Sequence, residues 1–222
     1  MTVPSIPDPE RLAEMRRTYS RGGLDERDLA PTWLEQLRAW LAAAVAAQLI
    51  EPNAMVLATA TPDGAPSART VLLKGLAEDG LTFFTNYTSR KGRELEANPR
   101  ACVVFPWIDL QRQVVVTGTV TPVPEAESDA YFATRPRGSQ VGAAVSPQSQ
   151  VVGSRAELDQ AVDELVARHP EPGPVPRPVH WGGYRLAPDM VEFWQGRQDR
   201  LHDRLRYRRE PSGDWVVERL AP

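Results

Sequence analysis

From residue 54 to residue 123 the sequence gives up helical spacing for short alternating or apolar runs, and the first connections between them are too short to cross over a sheet. The runs at 54–61, 68–76, 81–86, 101–107 and 113–123 are rich in Val, Leu, Phe and Thr, the residues that suit a pleated, half-buried surface. Pro62-Asp63-Gly64 and Glu78-Asp79-Gly80 are turn sequences of hairpin length, so the first three strands are expected to form an antiparallel meander. A parallel dinucleotide-binding sheet needs crossovers of about a dozen residues or more and is disfavoured. The fold class expected is mainly β with α, an α+β arrangement of one antiparallel sheet with flanking helices.

The helices bracket that sheet. Asp8-Pro9 followed by Leu12, Met15 and Tyr19 predicts a capped amphipathic helix ended by Gly22-Gly23. A second helix starts near Pro31, carries Leu34, Leu37, Leu41 and Val45 on one stripe, and ends before Pro52. Ser89 is placed to cap a short helix ending at Asn98-Pro99, which exposes backbone N–H groups beside Arg90 and Lys91. Helical spacing returns over 125–134 and 154–168, where Ser154-Arg155-Ala156-Glu157 predicts a capping box. Proline at 170, 172, 174, 176 and 178 makes 169–180 an extended connector. Beyond it, 181–187, 191–195, 200–208 and 215–220 read as further strands, the last two joined through Ser212-Gly213-Asp214. The 222 residues are expected to form one domain, 1–222, with the connector as a tether inside it.

Composition excludes several function classes. A net charge of −3 gives no overall positive field for a nucleic acid or an anionic membrane, so any anion must be met by a local cluster. The longest apolar run falls far short of the roughly 20 residues that span a bilayer, and the first 30 residues lack the apolar core of a secretory signal. A cytoplasmic protein without membrane contact is expected. One cysteine, Cys102, and three scattered histidines rule out a disulfide framework and leave no expected metal site. Only Lys74 and Lys91 depart from an otherwise all-arginine set of 26 basic residues. A compact ammonium does what a planar guanidinium cannot, so these two positions draw notice, although chance survival of two surface lysines is the first reading.

Four clusters combine cations with hydroxyls. In Arg200-Leu201-His202-Asp203-Arg204-Leu205-Arg206, strand geometry would put Arg200, His202, Arg204 and Arg206 on one face. Such a face either binds an anion or is a solvated edge bristling with charge. The preceding Glu192-Phe193-Trp194-Gln195-Gly196 offers an aromatic and an amide suited to a planar heterocycle. The second cluster, Arg69-Thr70-Val71-Leu72-Leu73-Lys74, has a cation at each end and would face them to opposite sides unless a bulge realigns them. Thr85-Asn86-Tyr87-Thr88-Ser89-Arg90-Lys91 joins hydroxyls and two cations to a helix start, which suits a phosphate or an ordinary cap. In the fourth, Tyr131 and Arg135 are helical neighbours, and Arg137 and Ser139 follow in what reads as a loop, with Gln148-Ser149 just beyond.

In order and spacing these clusters resemble one family, the pyridoxamine 5′-phosphate oxidases, flavin enzymes that make pyridoxal phosphate. The match runs through essentially the whole chain and is densest at Arg69 to Lys74, Phe83 to Lys91, Phe105-Pro106-Trp107, Arg135 to Gln140, Trp181-Gly182-Gly183 and Glu192 to Arg204. The resemblance implies an FMN-binding split β-barrel that dimerises with flavin across the subunit interface. It implies FMN contacts for Arg69, Thr70, Val71, Leu72, Leu73, Lys74, Phe84, Thr85, Arg90, Lys91, Gln113, Gln148, Ser149, Trp194 and Arg204. It implies that Lys74, Tyr131, Arg135 and Ser139 hold the substrate phosphate, while Arg200, Leu201 and His202 lie by the pyridine ring. Arg16, Arg17, Thr18 and Tyr19 match an N-terminal segment, within 1–30, that covers the site, and 181–222 would complete it. Thr18 stands where an acidic residue is expected and Phe84 where tyrosine is common.

The implied reaction oxidises the 4′ amine or alcohol of pyridoxamine or pyridoxine 5′-phosphate, with dioxygen as acceptor and hydrogen peroxide as product. In it Arg200 would hold the ring and polarise the reacting end, and His202 would supply a hydrogen bond or proton relay. Two alternatives remain at this point: another split-barrel flavin or deazaflavin oxidoreductase, and a carrier that binds flavin or pyridoxal phosphate without turnover.

Overall fold

The computed structural model describes residues 14, 15 and 18–222. The helix expected from Asp8 lies largely outside the described residues, as do Arg16 and Arg17, and Thr18 and Tyr19 are not helical. The first long helix, α1 (Trp33–Ala46), opens with a reciprocal cap. Thr32 Oγ1 accepts the Glu35 N–H at 3.2 Å, and the Glu35 carboxylate accepts the Thr32 N–H at 3.2 Å. Its buried stripe is Trp33, Leu34, Leu37, Trp40 and Ala44, turned from the one expected, and Val45 is 58% exposed. Tryptophan at 40 takes the inner face because it packs edge-on against Phe193, 5.2 Å away, with the Arg112 guanidinium 4.4 Å from its ring.

The sheet has nine antiparallel strands: β1 (Ala54–Ala60), β2 (Pro66–Leu72), β3 (Gly75–Ala77), β4 (Gly80–Asn86), β5 (Arg100–Trp107), β6 (Arg112–Pro122), β7 (Trp181–Gln195), β8 (Asp203–Arg209) and β9 (Trp215–Leu220). Their order is β2-β1-β5-β6-β7-β4-β3, with β8 on β7 and β9 on β8, and the sheet curls so that β2 approaches β4. The expected meander is corrected to two separate hairpins, β1–β2 and β3–β4. The run read as one strand over 68–76 breaks because successive N–H groups bond in different places, Leu73 to Asn53 O at 2.9 Å and Lys74 to Thr82 O at 2.8 Å.

Two further strand readings change. The runs at 181–187 and 191–195 are one fifteen-residue strand, and Pro188, which has no N–H to give the ladder, is absorbed by a register shift opposite Thr117 and Gly118. The last long strand starts at Asp203 rather than Arg200. Asp199 and Arg200 have φ of +54° and +62°, left-handed values that no strand tolerates, so Arg200 and His202 leave the expected cationic face. On the strand, Arg204, Arg206 and Arg208 alternate with buried Leu205 and Tyr207. That face is paired rather than bare: Glu192 of β7 takes Arg204, and Glu218 of β9 takes Arg206 and Arg208.

Helix α2 (Arg90–Ala97) carries the expected Ser89 cap, α3 (Glu125–Thr134) follows β6, and α4 (Arg137–Val145) replaces the loop expected after Arg135. Pro136 supplies the first acceptor of α4, taking the N–H groups of Ser139 and Gln140. Before α5 (Arg155–Arg168), Ser154 caps Glu157, but the Glu157 carboxylate reaches Gly153 instead of closing the box. The proline connector is extended only over 174–178 and turns at both ends, where the Gly173 N–H bonds Pro170 O at 2.9 Å and the Trp181 N–H bonds Pro178 O at 3.0 Å. It is pinned by Arg137, whose guanidinium donates to the carbonyls of His169 and Gly173. The main core lies between α1 and the sheet around Leu37, Met55, Phe83, Phe105 and Phe193, and a smaller core of Phe132, Val141, Val175 and Trp181 lies under α3 and α4. Among the described residues no helix is long and apolar enough to cross a membrane.

Candidate functional site

A cavity of about 640 Å³ opens where β2, β4, α2, α3, α4 and the start of β7 meet. Strand β2 contributes Arg69, Thr70, Val71 and Leu72, and the break after it contributes Lys74. Strand β4 adds Phe84 and Thr85, α2 adds Lys91, and Gln148 closes one side. Tyr131, Thr134, Arg135, Pro136 and Ser139 form the opposite wall, and Trp181 lies at its base. Among the described residues four cations line this space and no lining residue is a carboxylate. Arg69 and Lys74 reach the same cavity because the chain leaves the ladder between them.

Burial and hydrogen bonding fix the cation at the α2 end. Lys91 is 8% exposed, and its Nζ donates to Gln148 Oε1 at 2.6 Å, Thr85 Oγ1 at 3.0 Å and Ser89 Oγ at 3.3 Å. Burial first, and then the nearby Arg69 guanidinium, push its pKa down to about 8. Among the described residues no acid pairs with that ammonium, so an anion in the cavity would offset it. Arg69 is held from behind by Glu94, which is buried. Its Nη1 donates to Thr59 Oγ1 at 2.5 Å and its Nη2 to Ser67, and both hydroxyls donate in turn to Glu94 Oε2 at 2.5 Å. The other carboxylate oxygen takes Arg90 Nε at 2.8 Å. Burial alone would raise the Glu94 pKa, yet these donors bring it down to about 2.

The opposite wall is aromatic. Phe84, Tyr131 and Trp181 lie nearly parallel, with Phe84 and Tyr131 4.0 Å apart and Phe84 and Trp181 5.5 Å apart. Gly183 makes this possible: a Cβ there would sit 2.7 Å from the Phe84 ring and 2.6 Å from Val123. The Arg135 guanidinium lies 4.6 Å from the Trp181 ring centre, and its Nη1 is buried with no hydrogen-bond partner. An orphaned guanidinium nitrogen beside a cavity calls for an anionic acceptor.

A second cluster sits at the far end of β7. Gln113, Trp194 and Arg204 stand side by side across β6, β7 and β8. They project away from the core face occupied by Val114, Phe193 and Leu205. Tyr19 packs edge-on against Trp194 at 5.7 Å and against His202 at 5.4 Å. The Arg197 N–H donates to His202 Nδ1 at 3.1 Å, and Arg200 lines the same opening with Thr18 and Tyr19. Asp203 ties this loop down, accepting from the Leu24 N–H, Arg197 and Arg219. Arg219 extends the tie to Glu26 and to the Leu24 carbonyl.

The residues read from the sequence as one site therefore fall into two groups within the chain. Arg69, Thr70, Val71, Leu72, Lys74, Phe84, Thr85, Lys91, Tyr131, Arg135, Ser139 and Gln148 share the cavity. Gln113, Trp194, Arg200, Leu201, His202, Arg204 and Tyr19 do not line it. Leu73 is buried in the main core, Arg90 is turned to Glu94 on the surface of α2, and Ser149 lies outside the cavity. Sequence reasoning missed Trp181, Glu94 and Arg197. Glu94 was findable four residues after Arg90 on one helix, whereas Trp181 meets Arg135 only through tertiary folding.

A family model described as pyridoxamine 5′-phosphate oxidase matches residues 41–169, and a second, described as the pyridoxine 5′-phosphate oxidase C-terminal dimerisation region, matches 181–222. Pyridoxine/pyridoxamine 5′-phosphate oxidase of Rubrobacter xylanophilus is 58% identical over 95% of this chain and 96% of its own. The protein of that name from Salinibacter ruber is 55% identical over 96% of this chain and 99% of its own. Among solved structures, PhzG from Burkholderia lata 383, in complex with tetrahydrophenazine-1-carboxylic acid, is 36% identical. It superposes with a TM-score of 0.84, covering 90% of this chain and 98% of that one.

Proposed function

Because this chain belongs to the pyridoxamine 5′-phosphate oxidase family, we propose that its cationic cavity receives two phosphoesters, one from FMN and one from the substrate. The chain is a flavin-dependent oxidoreductase that oxidises pyridoxamine or pyridoxine 5′-phosphate to pyridoxal 5′-phosphate. We take the flavin to be FMN, whose phosphate a cationic cavity can hold. Lys91 without a carboxylate and Arg135 with a bare Nη1 both lack the anion that a phosphate provides. Bound FMN supplies the hydride acceptor, and dioxygen takes the electrons on to hydrogen peroxide.

All other tasks fall to side chains. Arg69, Thr85 and Lys91 hold the cofactor phosphate, with Arg69 aimed by Glu94 through the two hydroxyls. Lys74, Tyr131, Arg135 and Ser139 hold the substrate phosphate, far from the reacting 4′ carbon, so that binding energy becomes orientation. Such positioning is worth roughly 7–11 kcal/mol of barrier where alignment is good. In a homodimer the row of Gln113, Trp194 and Arg204, together with Arg200 and His202, would come to each cavity from the partner protomer. The match of 181–222 to a dimerisation region supports that sharing, since this stretch carries most of the second cluster. His202 Nδ1 is occupied by the Arg197 N–H, which leaves Nε2 as the ring atom facing substrate. Arg200 lies beside it to polarise the reacting end.

The observation that carries this reading is the convergence of Arg69, Lys74, Lys91 and Arg135 on one cavity that no acid among the described residues lines. The purified protein should be yellow, and anaerobic pyridoxamine 5′-phosphate should bleach the flavin band. Readmitted air should restore the band with formation of peroxide. A colourless protein, or a flavin band indifferent to the substrate but bleached by a reduced phenazine acid, would overturn it.

A further inference from the structure

We propose that Trp181 is a positioning residue for Arg135, its indole face holding the guanidinium where a carboxylate would otherwise be needed, so that the whole charge is left for the substrate phosphate. This inference rests on the reading of the cavity as the phosphate site. Elsewhere in the structure several half-buried arginines are held by acids: Arg69 by Glu94, Arg204 by Glu192, Arg185 by Asp79 and Glu127. Arg135 is paired with no carboxylate among the described residues. Its Cζ instead sits in the corner between two rings at a steep angle to each other, 4.6 Å from the centre of Trp181 and 5.7 Å from that of Phe132.

A carboxylate holds an arginine by cancelling its charge, which is acceptable for a structural pair and costly for a group that must bind a dianion. A ring face attracts the cation through its quadrupole and leaves all the N–H donors free. Trp181 is suited to the task because it cannot drift. It is 5% exposed, its N–H bonds to Pro178 O at 3.0 Å, and its carbonyl takes Arg177 Nη1 at 2.7 Å. Arg112 over Trp40 shows the same device in a different setting, but there Nε is satisfied by Gln195 at 2.8 Å. In Arg135, Nη1 is buried and bare.

The test uses the flavin-loaded protein with Trp181→Leu, Trp181→Met, Trp181→Phe and Arg135→Met, and the double variant Trp181→Leu/Arg135→Met. Leu and Met should each raise KM for pyridoxamine 5′-phosphate about tenfold while kcat falls by no more than about threefold and flavin content holds. Phenylalanine, which keeps a ring face, should recover most of the loss. On the Arg135→Met background, Trp181→Leu should add less than about twofold, because a residue acting through Arg135 has nothing left to hold. A full, additive Trp181 effect on that background, or a phenylalanine no better than leucine, would overturn the positioning role. An unchanged KM in Arg135→Met alone would overturn the phosphate reading itself.

Discussion

At Lys91 an ammonium is kept in a place where both burial and Arg69 disfavour its charge, holding its pKa at about 8. An anion beside it favours the protonated form, so FMN binding above pH 8 takes up a proton and weakens as pH rises toward lysine's ordinary value near 10.4. Fluorescence titration should find affinity about tenfold lower at pH 9 than at pH 7, and Lys91→Met should flatten that dependence. Glu94 works in the opposite sense. Its pKa of about 2 in the fold lies below the unfolded value near 4.3, so its support is complete above about pH 4.3 and is lost as pH falls toward 2. Thermal melts of Glu94→Gln should show lower stability than wild type at pH 7 and convergence with it near pH 2. Flavin should also bind more weakly, since Arg69 loses the carboxylate behind its two hydroxyl partners.

Among the elements, α2 is the one whose cap doubles as part of the cation site. Ser89 is fully buried, accepts the Gly92 N–H at 3.3 Å, donates to Asn86 O at 2.7 Å and touches Lys91 Nζ. Ser89→Ala should cost about 1–2 kcal/mol, read as a melting point several degrees lower, and should weaken flavin retention as Lys91 loses a partner. That cap was legible because it depends on residues three apart in sequence. So were the strand runs, whose alternation is local. The break at Leu73-Lys74 was not, because it is set by Asn53 and Thr82, which come near only when the sheet forms. The start of β8 was misread for a related reason: alternation in Arg200-Leu201-His202 mimics a strand, while the actual path is dictated by Asp203 and the Arg197 N–H. Helix α4 hid behind Arg-Pro-Arg-Gly-Ser, which has turn composition but continues into Val141 and the smaller core.

For the whole molecule, the chemistry of the site was more legible than its assembly. Hydroxyls beside cations, and two lysines in a chain of arginines, drew notice in the sequence but were tied to one site only by the family resemblance, and both lysines line the cavity. Residue types alone could not reveal that the cluster of Trp194, Arg200, His202 and Arg204 lies away from the cavity within the chain. Sharing between protomers is open to direct test. Arg69→Met and Arg200→Leu, each inactive alone, should regain activity when mixed and reassociated, because each hybrid dimer would hold one fully wild-type site; random mixing gives about a quarter of sites. If every site lay within one chain, hybrids would stay dead. Arg219, three residues before Pro222, ties Glu26 and the Leu24 carbonyl to Asp203 beside His202. Arg219→Ala would thus untether the loop that presents the imidazole, and turnover should fade well before the protein loses its yellow colour.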